Sequence, residues 1–205
     1  MSLFLKILKW GGISIGVAFA ALVIYRMFYL RSERRTQEQV AKIHATKLTL
    51  DDVMGKNLPP PPGADADKTI QGIDANHNGI RDDMELAIFK EYPDSAKTRA
   101  VLLQYALALQ MEVTQTIVNT GTVTAVVEDK SRAAGCVADT LVPRKSPESP
   151  RDYSDLEKMN SYTNFIEKQQ FNTPMRKEAL ANFSKYIGSF ELQSDCDIDS
   201  TNFSS

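Results

Sequence analysis

The residues whose types and spacing best fit a defined chemistry lie in one short stretch, Asp74-Ala-Asn76-His-Asn78-Gly79-Ile80-Arg-Asp82-Asp83-Met-Glu85. Side-chain oxygens recur at alternate positions, a glycine stands sixth and a glutamate twelfth, so the stretch fits D-x-[DN]-x-[DN]-G-x5-E at every specified place. A hard cation such as Ca2+ takes about six to eight oxygen ligands, and this spacing supplies them from one turn of chain. Asp74, Asn76 and Asn78 offer side-chain oxygens, and Ile80 offers its backbone carbonyl. Asp82 contributes directly or through water, and Glu85 closes the site from the following helix with both oxygens. Gly79 permits the sharp turn, and His77 faces away from the ligands.

On those residues the stretch resembles the calcium loops of the EF-hand superfamily, of dockerins and of thrombospondin type 3-like repeats. The resemblance covers 12 of 205 residues. It implies Ca2+ as the ligand and Asp74, Asn76, Asn78, Ile80, Asp82 and Glu85 as its donors; it implies no activity. Two departures separate the chain from a paired EF-hand sensor. The eighth loop position, apolar where loops pair, is Arg81, and residues 64–72 before the loop lack an amphipathic helix pattern. With one loop and three carboxylates among the donors, the expected affinity is that of extracellular modules, about 10⁻⁴–10⁻³ M. The competing reading is an Asx-rich turn that caps the next helix without metal. The run from the loop through Tyr92-Pro-Asp-Ser-Ala-Lys-Thr-Arg99 to the apolar helix also resembles membrane-anchored proteins of gammaproteobacteria.

Other chemistries find little support. Two His and two Cys exclude a three-histidine or four-cysteine zinc site within one chain. There is no Gly-rich phosphate loop and no G-x-S-x-G elbow. His44 and His77 lie outside any Ser-His-Asp arrangement. Glu85, Glu91, Glu112 and Glu157 are the carboxylates a hydrolase would draw on. The net charge of −2 offers no bulk match to nucleic acid, and no nucleic-acid partner is expected.

The elements that must position the loop read as helices. The apolar run Ala100–Leu109, continued by Met111, Val113 and Ile117, reads as a buried core helix over 95–118, capped by Asp94 or Ser95. A helix boundary is expected near Gly121, with a further helix over 122–142. Ser154-Asp-Leu-Glu157 reads as a capping box, and Thr173-Pro174 as an N-cap followed by an N1 proline. No period-two alternation is evident, so the fold class is all-α: a single N-terminal transmembrane helix, then a small helical domain. Pro59–Pro62 reads as a polyproline spacer. The divisions expected are an anchor over 1–30, a helical stalk and Pro-rich linker over 31–68, the domain over 69–197 and a fraying tail over 198–205.

The anchor rests on residues 10–30, which hold one charge, Arg26. At ~1.5 Å per residue they span ~31 Å, the thickness of a bilayer core. Trp10 and the pair Tyr25 and Tyr29 suit the two interfaces. Ala18-Phe19-Ala20 has the form of a signal-peptide cleavage site, but the apolar run continues ten residues beyond it, which favours an uncleaved anchor. Gly12, Gly16 and Ala20 share a helix face that allows pairing into a homodimer.

Residues 1–47 carry eight Lys/Arg against two Glu, a net +6 that leaves −8 on the rest. The positive-inside rule by itself favours the body in the cytoplasm. The cysteine pair and the weak calcium loop favour the outside, where Cys136 and Cys196 form a disulfide. The resulting expectation is a non-enzymatic, single-pass inner-membrane protein with a periplasmic calcium-binding domain that holds a protein or envelope partner. The alternatives are a carboxylate-dependent periplasmic hydrolase and a cytoplasm-facing scaffold with free thiols.

Overall fold

The computed structural model describes residues 2–146, 148–192, 194–199 and 203. Among them seven α-helices and one 3₁₀ turn appear, and no strand. They are α1 (Ser2–Ala45), α2 (Leu50–Val53), the 3₁₀ turn Gly63–Asp67, α3 (Asp82–Glu91), α4 (Ala96–Thr114), α5 (Thr120–Leu141), α6 (Tyr153–Gln170) and α7 (Pro174–Ser184). The all-helical class read from the periodicity is the one observed.

Helix α4 is the hub. Its apolar residues lie on every side, the pattern of a helix with no solvent face, and every residue from Thr98 to Glu112 is buried. Helices α2, α3, α5, α6 and α7 all pack against it. Its polar residues are buried too, and each is answered. Arg99 donates to the carbonyls of Val53, Tyr92 and Pro93. Gln104 donates to Asp195 O and accepts from Asp197 N, and Gln110 donates to Gln71 O and accepts from Gln170. Glu112 takes Lys130 Nζ on both oxygens, at 3.0 and 3.2 Å. Unpaired, any of these groups would cost about 1–3 kcal/mol or more.

The helix starts follow local rules with two shifts. Ser95 caps α4, and Thr173 with Pro174 opens α7, both as the residue types predict. Helix α6 begins two residues early, capped by Asp152 and not by the expected Ser154: Asp152 Oδ1 accepts from Asp155 N at 2.9 Å, and Asp155 reciprocates. A carboxylate answers the helix dipole as well as the free N–H groups, and Ser154 instead donates its hydroxyl to Asp152. Helix α4 ends at Thr114 rather than 118, because Asn119 and Thr122 form a capping box that starts α5.

Helix α1 is continuous through the expected anchor and stalk. Its apolar residues from Phe4 to Leu30 are exposed, and it is the one helix among the described residues long and apolar enough to cross a membrane. Beyond them it does not stand free. Thr36 and Ile43 are buried, Val40 packs beside Ile43, and these turns lie on α5. Leu48 and Val53 join the core that holds α3 and α4. Residues 58–62 form neither helix nor strand.

The C-terminal stretch is held as well. Cys136 of α5 is bonded to Cys196, with Cα atoms 5.2 Å apart. Asp197 accepts from Arg132 at 2.6 Å and from Leu48 N at 3.1 Å, tying α5, the end of the α1 segment and the tail together. Ile198 and Phe203 pack on the core, where fraying was expected; residues 200–202, 204 and 205 lie outside the described residues.

Candidate metal centre

The loop that precedes α3 is built from its own side chains. Asp74 takes two backbone donors, Asn78 N on Oδ1 at 3.1 Å and Gly79 N on Oδ2 at 3.0 Å. Asn78 Oδ1 accepts from Ile80 N at 2.9 Å, and Asp82 Oδ1 from Ala75 N at 3.0 Å. Asp82 N in turn donates to Ile73 O at 2.9 Å, which closes the two ends of the turn. Short polar side chains that bond the backbone a few residues on are the means by which such a turn holds its shape.

Gly79 is required twice over. Its φ of +86° lies in the left-handed region, and a Cβ there would sit 2.8 Å from Leu107 Cδ1 of α4. Ile80 follows with its side chain in the core beside α4, so the backbone that carries its carbonyl is fixed. His77 also has positive φ, 59°, and its side chain is exposed, away from the ligand set as expected.

The centre of the arrangement is Glu85, on the first turn of α3 and fully buried. Its Oε2 accepts from Asn76 Nδ2 at 3.0 Å and from Asn78 Nδ2 at 3.2 Å. Its Oε1 has no partner, and neither does Oδ2 of the equally buried Asp82. Thus the two carboxylates that stand ninth and twelfth in the motif each keep one buried oxygen without a donor. Burial pushes the Glu85 carboxyl up to about 7 against the pull of the two amides, and the charges of Asp52 and Asp82 push the same way. Asp82 is raised as well, first by burial and then by the charges of Asp74 and Asp83.

Three of the six predicted donors, Asn76, Asn78 and Glu85, meet through side chain–side chain hydrogen bonds. Asp74 and Asp82 shape the turn around them. Among the described residues no group of three or more His, Cys, Asp or Glu side chains is arranged to hold a metal ion. The donor set here is mixed, with two amides and a backbone carbonyl beside the carboxylates, and Asp74 is already engaged by the loop backbone.

Reading the motif misses three participants. Asp52, from the short α2, adds its negative charge near Glu85. Asn57 O accepts from Asn76 Nδ2 at 3.0 Å. Both lie well upstream of the loop, with nothing local to mark them. Arg81 is the third. It departs from the apolar eighth position yet is itself fully buried. Its guanidinium holds Asp83 through Nε at 2.9 Å and Nη2 at 2.6 Å, and caps the end of α6 through Gln170 O at 3.0 Å and Gln169 O at 3.2 Å. The residue that would pair a second loop in an EF-hand here fastens the loop to α6.

The other carboxylates considered for hydrolysis sit elsewhere: Glu112 is locked by Lys130, and Glu91 and Glu157 are exposed. No family model, curated protein or solved structure matches the chain.

Proposed function

We propose that the chain is a membrane-anchored, non-enzymatic calcium-binding domain in which the 74–85 loop holds one Ca2+. The observation that carries this reading is the pair of partnerless buried oxygens, Glu85 Oε1 and Asp82 Oδ2. Buried carboxylate oxygens without donors are costly, and a divalent cation is the chemical species that answers several at once. The amides of Asn76 and Asn78 put positive NH2 groups against Glu85 Oε2. A half-turn of each amide would bring its oxygen to the ion, at the cost of the bonds from Ile80 N to Asn78 Oδ1 and from Asn76 Nδ2 to Asn57 O. Asp74, Asn76, Asn78, Ile80, Asp82 and Glu85 would then hold the ion, as the EF-hand-like resemblance implies. The ion would supply charge neutralisation and would stiffen the turn from which α3 starts.

The disulfide supports an oxidising compartment, and with the exposed apolar stretch of α1 it favours an inner-membrane protein whose domain lies in the periplasm. There the domain would hold a protein or envelope partner near the membrane, with Gly12, Gly16 and Ala20 pairing two copies in the bilayer.

The test is a thermal melt and a calorimetric titration of the full chain in detergent, with Ca2+ or a chelator. A calcium-dependent rise in Tm and saturable heat, both lost in Asp74→Ala/Glu85→Gln, are the expected results. A wild-type chain with no heat and no shift at millimolar Ca2+ would reduce the loop to a capping turn.

A further inference from the structure

The relation of α1 to α5 sets how far the domain stands from the bilayer. The apolar stretch of α1 ends at Leu30, and the first residue of α1 buried against the domain is Thr36. Six residues at ~1.5 Å each make ~9 Å. The headgroup layer of one leaflet is itself ~5–8 Å thick, half the difference between the whole bilayer and its hydrocarbon core. No room remains for a stalk.

The part of the domain at that level is the 115–121 stretch, which is the loop after α4 together with Thr120 and Gly121 at the start of α5. Asn119 Nδ2 donates to Thr36 Oγ1 at 2.7 Å, and Gln39 Nε2 to Gln115 Oε1 at 2.7 Å. Gly121 makes the approach possible, since a Cβ there would lie 3.2 Å from Thr36 Cγ2. The loop carries no charge, and Ile117 at its tip is 42% exposed. The adjoining turns of α1 present Arg31, Arg34 and Arg35, all exposed, against the acids Glu33 and Glu38. None of the ion pairs among the described residues uses these three arginines. Between α1 and the loop runs an open groove of about 650 Å³, with Arg35, Glu38, Gln39 and Lys42 on one wall and Thr116, Ile117 and Val118 on the other. An uncharged loop with one apolar tip beside unpaired cations matches a lipid interface, where acyl chain and phosphate lie within a few ångströms of each other.

We propose that the 115–121 loop and the Arg31–Arg35 turn of α1 form a seat for anionic phospholipid headgroups, so that the domain rests on the membrane face. This rests on the reading of α1 as a spanning helix. A level further along α5 supplies the contrast. Lys47, just past the end of α1, reaches Asp129 of α5 at 3.9 Å, and Phe190 lines a groove with Val127 and Lys130 of the same α5 stretch. Phe190 therefore stands ~20 Å beyond Leu30 by helix rise.

The experiment places single tryptophan reporters in the full chain, in a Trp10→Phe background, reconstituted into vesicles of phosphatidylcholine with or without phosphatidylglycerol. Phe19→Trp reports on the span, Ile117→Trp on the seat and Phe190→Trp on the distal face. Acyl-brominated lipid should quench the Phe19→Trp reporter. Headgroup-nitroxide lipid should quench the Ile117→Trp reporter in the anionic vesicles and spare the Phe190→Trp reporter. Arg31→Gln/Arg34→Gln/Arg35→Gln should weaken that quenching. A quenched span with an unquenched Ile117→Trp reporter overturns the seat and leaves the anchor standing. An unquenched span overturns both. Equal quenching in neutral and anionic vesicles, or equal quenching of the proximal and distal reporters, overturns the assignment to an anionic headgroup layer.

Discussion

Asn78 Nδ2 donates to Glu85 Oε2 at 3.2 Å, beside the matching donation from Asn76 at 3.0 Å. Two neutral amides thus answer one oxygen of a fully buried carboxylate and leave the other, Oε1, without a donor. Neither amide carries the charge that would balance it. The local balance is therefore set by whether Glu85 holds a proton, holds a cation or bears an unbalanced charge.

Replacing Glu85 by glutamine separates these states. The carboxyl held near 7 against an ordinary 4.5 corresponds to about 3 kcal/mol against the charged form. In chelator at pH 8, Glu85→Gln should be as stable as the wild type or more so, by up to that amount. In millimolar Ca2+ the order should reverse, because the variant cannot gain the cation. Urea midpoints in the two buffers measure both. A variant less stable than wild type in chelator would mean that the charge is already balanced.

The same group dictates a pH dependence. Glu85 binds its proton more tightly folded than unfolded, so its contribution favours the fold below 4.5 and is lost as the pH rises to about 7. Stability in chelator should fall across that window, since the slope follows the excess of protons bound by the native state. Asp67 works in the opposite sense, being lowered mainly by the hydrogen bond from Arg176, and loses its contribution as the pH falls below the ordinary carboxylate range. With Ca2+ present the decline toward pH 7 should flatten, and calcium affinity should rise with pH over the same range. Chemical denaturation at several pH values, with and without Ca2+, checks both slopes.

Much of this architecture is legible in the residues. Helix α4 is recognisable because it is apolar all round, and α7 because Thr173-Pro174 can hardly begin anything else. The loop is recognisable because its donors fall within twelve residues of chain. What escapes is what depends on distant chain. Val40 and Ile43 make too thin a stripe to predict docking, because the contact also uses polar pairs, Thr36 with Asn119 and Gln39 with Gln115. The tail looks free by composition, yet Ile198 and Phe203 pack on the core. Asp52 carries no local mark of its place near Glu85.

Arg81 offers a further prediction. Its guanidinium joins Asp83 of α3 to the last two carbonyls of α6, with no solvent exposure of its own. Arg81→Ala removes those donors and leaves a void, so a loss of about 3–5 kcal/mol is expected. Asp83→Asn keeps the shape and should cost far less, because Asp83 is partly exposed. Urea denaturation of the two variants gives the comparison, and equal losses would place the value of Arg81 in its charge partner alone.

On α1, Gly12 and Gly16 have no other atom near the position a Cβ would take. That face is open for a second copy to approach closely. Gly12→Leu/Gly16→Leu should abolish a cross-linked dimer in membranes without changing the calcium response. Undiminished cross-linking would exclude this face as the contact.

The disulfide closes a separation of 60 residues, for which chain entropy gives about 4 kcal/mol. Its removal should reach beyond that entropy, because Cys196 precedes Asp197, on which several elements converge. Asp197 is paired with Arg132 at 2.6 Å and with Lys47 at 3.3 Å, and it accepts from Leu48 N. Asp129 shares Arg132 and keeps one buried oxygen without a partner. If the tail is released, Arg132 loses a partner and the segment after α1 keeps only the Lys47–Asp129 ion pair to α5. Cys136→Ser/Cys196→Ser should therefore lower stability by about 2–5 kcal/mol. It should also increase amide exchange at Leu48 more than at the α3 end of the core. Asp197→Asn in the oxidised chain isolates the ionic share: it should loosen Leu48 while the covalent link is intact. Exchange at Leu48 that responds to neither change would mean that the segment after α1 is held by the core alone.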